Sequence, residues 1–180
     1  MYFKGLYLAF VALVFISACG PSGKDTGNNE THPREGLQEA LIEANKSAVE
    51  AEREMIRNYA RRHKWPIEKA KGVYYVVYEE GTGQKIQVGD EVVFRYSLQL
   101  INGSEIKKDR QPESIKVGKA GDVVSGLHRA MQLLKEGDRA KVIVPSHLAY
   151  GLAGNQDKIP SKATLIYDIK VMNVLNSPQD

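Results

Sequence analysis

The sequence predicts an α+β fold, an antiparallel sheet wrapped around one short helix and preceded by a helical N-terminal extension. Three observations predict it. From Gly72 onward the apolar residues recur with period two, or in short β-branched and aromatic runs broken by turn residues, as strands do. One segment inside that region, residues 123–134, instead sets Leu127, Ala130, Met131 and Leu134 on a single helical face. Upstream, residues 33–64 carry apolar spacings of three and four over a much longer stretch. A short helix among five or six antiparallel strands leaves a crevice between helix and sheet, the natural place for a site.

The chain opens with one early cation, Lys4, an apolar run over residues 6–16, and the small residues Ser17 and Ala18 ahead of Cys19. A charged start, an apolar middle of this length and small residues at a cut site read as a secretory signal peptide over residues 1–18, too short for a stable membrane span. Small residues directly before a cysteine resemble a bacterial lipobox, in which Cys19 becomes the lipidated first residue of the mature chain. An uncleaved apolar anchor is the alternative. The chain has 1 Cys, so cleavage there leaves no thiol for a disulfide or a thiolate metal site. Acyl chains contribute about 0.8 kcal/mol per buried methylene, enough for several on one residue to anchor a protein without a spanning helix. The expected location is the bacterial cell envelope, facing the periplasm, with the outer membrane favoured over the inner.

Residues 19–32, which after Cys19 run Gly20-Pro21-Ser22-Gly23, are too polar and too rich in Gly, Pro and Asn to offset their ordering entropy, and read as a flexible tether. The net charge is +3, which loss of Lys4 lowers by one; with both signs interspersed this implies no nucleic-acid partner. One folded domain, residues 73–176, with a helical extension over residues 33–72, is the expected organisation.

In the extension, Leu37, Leu41, Ala44, Ala48, Ala51, Met55 and Tyr59 form an apolar stripe with Ile42, Val49 and Ile56 beside it. Glu35, Glu39 and Glu43 near the start and Arg57, Arg61, Arg62 and Lys64 near the end complement the helix dipole, and Pro66 stops the helix. The narrow alanine-rich stripe suits either docking on its own domain or pairing with a second copy through the 33–64 helix, and both stay open. Trp65 reads as a packing anchor at the helix end.

Strands follow at residues 73–78, 91–100, 114–117, 141–144 and 165–171, with Asn102-Gly103 as a strong hairpin signal. The four histidines, His32, His63, His128 and His147, are scattered over different elements with neither metal-ligand spacing nor a companion carboxylate, so no metal and no cofactor are expected. Ser146 and His147 adjoin each other, unlike the members of a nucleophilic triad, which converge from separate segments.

The stretch Val144-Pro145-Ser146-His147-Leu148-Ala149-Tyr150-Gly151, followed by Ile159-Pro160-Ser161-Lys162-Ala163-Thr164-Leu165-Ile166-Tyr167-Asp168, resembles the signature of the FKBP-type peptidyl-prolyl cis/trans isomerases. Gly89-Asp90, Val117-Gly118, Val124-Ser125-Gly126-Leu127 and Gly137-Asp138-Arg139-Ala140 stand at fitting intervals, and the resemblance covers residues 73–175. A finer and weaker likeness is to the membrane lipoproteins of this family in gliding bacteria.

The resemblance implies an FKBP-like fold, no cofactor, and clients that are proline-containing polypeptides. It also implies site residues. Tyr150, Tyr96 and Val124 fall where the family places its catalytic groups: the Tyr150 hydroxyl and the Val124 backbone N–H would donate hydrogen bonds to ligand carbonyls. Ile106, Lys107, Ile115, Val123, Leu127, Ile159 and Tyr167 fall at substrate-contacting positions, Tyr167 replacing a commoner Phe. Four positions depart from the pattern. Ile106 and Lys107 stand where an aromatic and an aspartate are usual, Leu127 where a floor tryptophan is usual, and Asn155 where a histidine is common. Leu127 offers a smaller apolar floor, and the long stem of Lys107 would let its charge swing into solvent.

Rotation about an X-Pro bond crosses a barrier of about 18–20 kcal/mol and changes no covalent bond. An enzyme for it needs an apolar pocket that favours the twisted bond, with no nucleophile or metal. Retained Tyr150, Ile159 and Val124 favour such an enzyme assisting the folding of exported proteins. The lost aspartate and tryptophan favour a low-activity or inactive binding lipoprotein of the same fold.

Overall fold

The computed structural model describes residues 33–108 and 111–176. The expected signal peptide, the lipidation residue Cys19 and the tether 19–32 lie outside the described residues. Among those described, the elements run α1 (Pro33–Arg62), β1 (Glu68–Ala70), β2 (Val73–Glu79), β3 (Glu91–Leu100), β4 (Glu105–Lys107), β5 (Glu113–Lys116), α2 (Ser125–Met131), β6 (Arg139–Val144) and β7 (Leu165–Leu175), with one 3-10 turn at Ser146–Leu148. Two compact units divide the chain, Met1–Glu39 and Ala40–Asp180. The described part of the first is the opening of α1, where Leu37 is exposed. The second holds the rest of α1 and the whole sheet.

All strand pairs are antiparallel, in the order β1-β2-β6-β7-β3-β4, with β5 also on β3. The outer edge of β3 is shared: β5 pairs along Glu91 to Phe94 and β4 along Leu98 and Gln99. Register shifts at Val93/Phe94 against β7 and at Leu98/Gln99 against β4 bend β3, as bulges do.

Period two sorts the strands' side chains onto two faces. Val73 of β2, Ala140, Val142 and Val144 of β6, and Leu165, Tyr167, Ile169 and Val171 of β7 meet Leu127, Ala130 and Met131 of α2 together with Leu134. The intervening residues Tyr74, Ile143 and Ile166 meet Ile56 and Tyr59 of α1, with Trp65, Ile67 and Ile101 packed around them. Burying side chains such as Ile56 and Tyr59 contributes about 1.5–3 kcal/mol each, which holds the end of α1 on the sheet. Docking on its own sheet is thus realised by the last turns of α1, while Leu41, Ile42, Val49 and Met55 remain exposed.

Helix α1 ends at Arg62, two residues short of the expected Lys64. Lys64 takes the left-handed region (φ 56) and the Trp65 N–H returns to the Ala60 carbonyl at 2.9 Å, closing the helix before Pro66. Trp65 then meets Tyr59 edge-on at 5.5 Å, the expected anchor. Helix α2 is shorter than its apolar pattern, but the Leu133 and Leu134 N–H groups bond Ala130 and Met131 carbonyls in a tightened last turn, so Leu134 stays on the apolar face. Strands β1 and β4 were not expected. Their sequences, Glu-Lys-Ala and Glu-Ile-Lys, carry little strand signal; each forms because a turn folds it back on a strong neighbour, β1 through Lys71-Gly72 and β4 through Asn102-Gly103.

Candidate functional site

Strands β3 and β7 lie side by side, pairing Tyr96 with Ile169 and Leu98 with Tyr167, so Tyr96 and Tyr167 are diagonal neighbours on one face. Their rings are 5.5 Å apart and tilted by 44°, and Phe94 stacks behind Tyr96 at 5.4 Å. Tyr167 is 3% exposed and Tyr96 is half-buried. Leu127, fully buried on α2, belongs to the same core, as do Ile115 and Ile159, with Ile106, Val123 and Val124 packed at its edge.

Gly126 lets α2 begin this close to the sheet, because a Cβ there would sit 2.2 Å from Cγ1 of Val144. Val124 is the extended residue just before the helix (φ −62, ψ 145); its carbonyl accepts from the Leu127 N–H at 3.0 Å. An N–H at this position has no intrahelical partner and is available to a ligand carbonyl.

Tyr150 is carried by the loop after β6. Beyond Pro145 the 3-10 turn folds back, and the Ser146 carbonyl accepts from the N–H groups of Ala149 at 3.1 Å and Gly151 at 2.9 Å, bracketing Tyr150. Tyr150 is 39% exposed. Further along, the Asn155 side-chain oxygen accepts from the Ile159 N–H at 2.7 Å and the Asp157 N–H at 3.0 Å, while the Asn155 N–H bonds the Ile159 carbonyl at 3.0 Å. Gly154 (φ +66) makes this closure possible, since a Cβ would lie 2.3 Å from the Ile159 oxygen. Asn155 therefore holds Ile159 in the core.

Burial raises the Tyr96 pKa, with Tyr150 adding to it; burial raises that of Tyr167 further, with Tyr150 and then Tyr96 adding. Both phenols are proton donors throughout the ordinary pH range. Lys107 does not run out into solvent as its stem would allow: its ammonium lies 4.2 Å over the Tyr96 ring and pairs with the Glu113 carboxylate of β5. Beside this pair a polar cavity of about 540 Å³ opens between Ile106 and Lys158.

Of the residues expected at the site, Ile115, Leu127, Ile159 and Tyr167 are buried in one core cluster with Tyr96, Ile106, Val123 and Val124 packed against it, Lys107 lies over the Tyr96 ring, and Tyr150 is near enough to Tyr96 and Tyr167 to raise the pKa of both. Sequence reading missed Phe94, which backs Tyr96, and Glu113, the counter-charge to Lys107. A lysine set against an aromatic wall calls for an acidic partner, and Glu113 was the signal available. Among the described residues no cluster of three His, Cys, Asp or Glu side chains is placed to hold a metal ion, and no helix is long and apolar enough to cross a membrane.

Comparison with known proteins points the same way. The family described as FKBP-type peptidyl-prolyl cis-trans isomerase matches residues 82–172. The chain is 32% identical over 105 residues to the probable FKBP-type peptidyl-prolyl cis-trans isomerase FkpA of Neisseria meningitidis serogroup B, covering 58% of this chain but only 39% of that relative. It is 33% identical over 99 residues to the FK506-binding protein of Neisseria meningitidis serogroup A, covering 53% of this chain and 90% of the relative. Among solved structures, the peptidyl-prolyl cis-trans isomerase of Pseudomonas syringae superposes with TM-score 0.63 at 26% identity, over 73% of this chain and 96% of that one. FkpA from Escherichia coli gives TM-score 0.61 at 27% identity, over 79% and 67%. With the matched region running from before β3 through α2, β6 and the Tyr150 loop into β7, the chain belongs to the FKBP-type peptidyl-prolyl cis-trans isomerase family.

Proposed function

We propose that this protein is a membrane-anchored peptidyl-prolyl cis/trans isomerase that assists the folding of exported polypeptides. The observation that carries the reading is the pair of rings Tyr96 and Tyr167, 5.5 Å apart beside a core that holds Leu127 and Ile159, with Tyr150 near enough to raise the pKa of both phenols. A prolyl ring entering over Leu127 would be flanked by Tyr96, Tyr167 and Ile159, while the Tyr150 hydroxyl and the Val124 N–H take up neighbouring carbonyls. Removing water from the imide favours the less polar twisted bond, and donors aligned with that geometry bind it better than the planar one. No cofactor enters the reaction.

The test is isomerisation of a short Leu-Pro peptide by exchange NMR, beside Tyr150→Phe and Val124→Asp. Loss of one hydroxyl donor is expected to lower kcat/KM by about tenfold, near the 1.4 kcal/mol of one good hydrogen bond, and a carboxylate in the wall to lower it further. A well-folded protein with no acceleration would shift the reading to a binding lipoprotein of low or no activity, which the smaller floor at Leu127 and the reversed charge at Lys107 favour.

Anchoring through lipid on Cys19 rests on the pattern of residues 1–19, and places the pocket at the periplasmic face of the envelope. A Cys19→Ser chain should leave the membrane fraction. The exposed Leu41, Ile42, Val49 and Met55 support pairing of two copies along α1; a monomer by light scattering at high concentration removes that idea.

A further inference from the structure

We propose that Glu52, on the outer helix α1, is a positioning residue for the pocket, tying together the roots of the two segments that carry Tyr150 and Tyr167. The inference rests on the isomerase reading of that pocket. Glu52 is half-buried one turn before Ile56. Its Oε1 accepts from the Ser146 N–H at 2.7 Å and from the Thr164 hydroxyl at 2.6 Å, and its Oε2 accepts from the Ser146 hydroxyl at 3.2 Å.

The donors lie 94 and 112 residues away along the chain. Neither has a local substitute at hand. The 3-10 turn is preceded by Pro145, which provides no side-chain cap, so its leading N–H is satisfied from outside the loop. Thr164 is 2% exposed, where an unpaired hydroxyl is costly. A carboxylate is the acceptor with enough lone pairs to take three donors at once, and its charge shortens and strengthens each bond.

What these donors flank gives the contact its meaning. The carbonyl of the same Ser146 holds the N–H groups on either side of Tyr150. Thr164 directly precedes β7, with Tyr167 three residues on. Two of the three hydroxyl-bearing residues of the pocket are thus set from one point on a helix that packs against the opposite face of the sheet. The Tyr150 hydroxyl is on an exposed ring at the end of a short loop, and small displacements of a positioned group cost rate steeply.

The test uses the full chain, with kcat/KM, thermal melting and amide hydrogen exchange measured on Glu52→Ala and Glu52→Gln. The amide oxygen of Glu52→Gln still accepts from Ser146 and Thr164, so kcat/KM should stay within about twofold of the parent, whereas Glu52→Ala, still folded at 25 °C, should lose about five- to tenfold. On a Tyr150→Phe background the same Glu52→Ala change should cost less than about twofold, because the hydroxyl it positions is gone. Exchange at the Ala149 and Gly151 amides should quicken by about tenfold or more in Glu52→Ala, reporting on the loop without reference to catalysis. A folded Glu52→Ala protein with unchanged kcat/KM, or with the same loss on both backgrounds, overturns the proposal and leaves a stability contact alone. Absence of isomerisation in the parent chain overturns the isomerase reading instead; the exchange arm then decides the tether, faster exchange supporting it and unchanged exchange removing it.

Discussion

The two faces of the sheet are built from alternate residues of the same strands, yet one is closed and the other is left partly open. On β6, Val142 and Val144 face α2 while Ile143 faces α1; on β7, Tyr167 and Ile166 divide in the same way. Toward α1, a helix of 30 residues offers more length than the strands need, and Ile56 and Tyr59 pack on a patch that is almost completely buried. Toward α2, a helix of 7 residues cannot reach across β3, so Tyr96, Val123, Val124 and Tyr150 stay partly exposed. The candidate pocket is therefore the part of a hydrophobic core that its helix is too short to cover. Helix length, more than any special chemistry, separates the candidate face from the covered one.

Core truncation on each face should separate these roles. Leu127 and Ile56 are each 1% exposed, and Leu→Ala or Ile→Ala at such positions costs about 2–5 kcal/mol, which urea unfolding would read directly. Leu127→Ala should also remove the pocket floor and lower kcat/KM beyond what the folded fraction explains. Ile56→Ala should destabilise comparably while keeping most of the activity per folded molecule. Equal losses of activity in both variants would break the distinction between the faces.

Alkaline pH offers a second comparison. On the outer face the Tyr78 hydroxyl donates to Asp168 at 2.7 Å, and burial, then that carboxylate, push its pKa up to about 12. On the pocket face burial raises Tyr96 and, more strongly, Tyr167. A tyrosine in the unfolded chain titrates near 10. Each raised group therefore stabilises the fold fully below about pH 10, and that contribution is lost as pH climbs toward the folded values, because only the unfolded chain releases the proton. Urea midpoints are expected to hold level from pH 7 to about 9 and to fall above 10. Tyr167→Phe should flatten that fall more than Tyr78→Phe, since Tyr78 is half-exposed and screened. The reverse order would mean that the outer polar cluster controls alkaline stability.

What could be read from the sequence followed from how local each signal is. Strands β2, β3, β6 and β7 announce themselves by period two, so most of the sheet was legible, and the Tyr150 loop with Ile159 and Tyr167 is a contiguous pattern that marks the candidate site. Strands β1 and β4 were not, because a three-residue Glu-Lys-Ala or Glu-Ile-Lys segment has no preference of its own and takes its state from the neighbour its turn provides. Glu52 was hidden for another reason. On a charged helix a glutamate looks like part of the solvated face, and only the fold reveals donors 94 and 112 residues away. The same holds for Glu113, whose meaning depends on the hairpin that lifts Lys107 over Tyr96.

The smallest expected effect concerns that lysine. The Lys107 ammonium lies over the Tyr96 ring and pairs with Glu113, with the two side chains 34% and 40% exposed. Partly exposed pairs of this kind contribute about 0–1 kcal/mol once screening is counted, and a cation above a tyrosine adds a similar amount. Lys107→Met keeps the stem and removes the charge, so stability should change by less than about 1 kcal/mol, and less still in 1 M salt, where the Debye length falls to about 3 Å. Its effect on kcat/KM should be sharper for peptides with a charged residue next to proline, if the Tyr96 ring beneath the ammonium lines the proline site as proposed. An unchanged preference between Glu-Pro and Lys-Pro peptides would show that Glu113 neutralises Lys107 fully, and that the open face discriminates by shape alone.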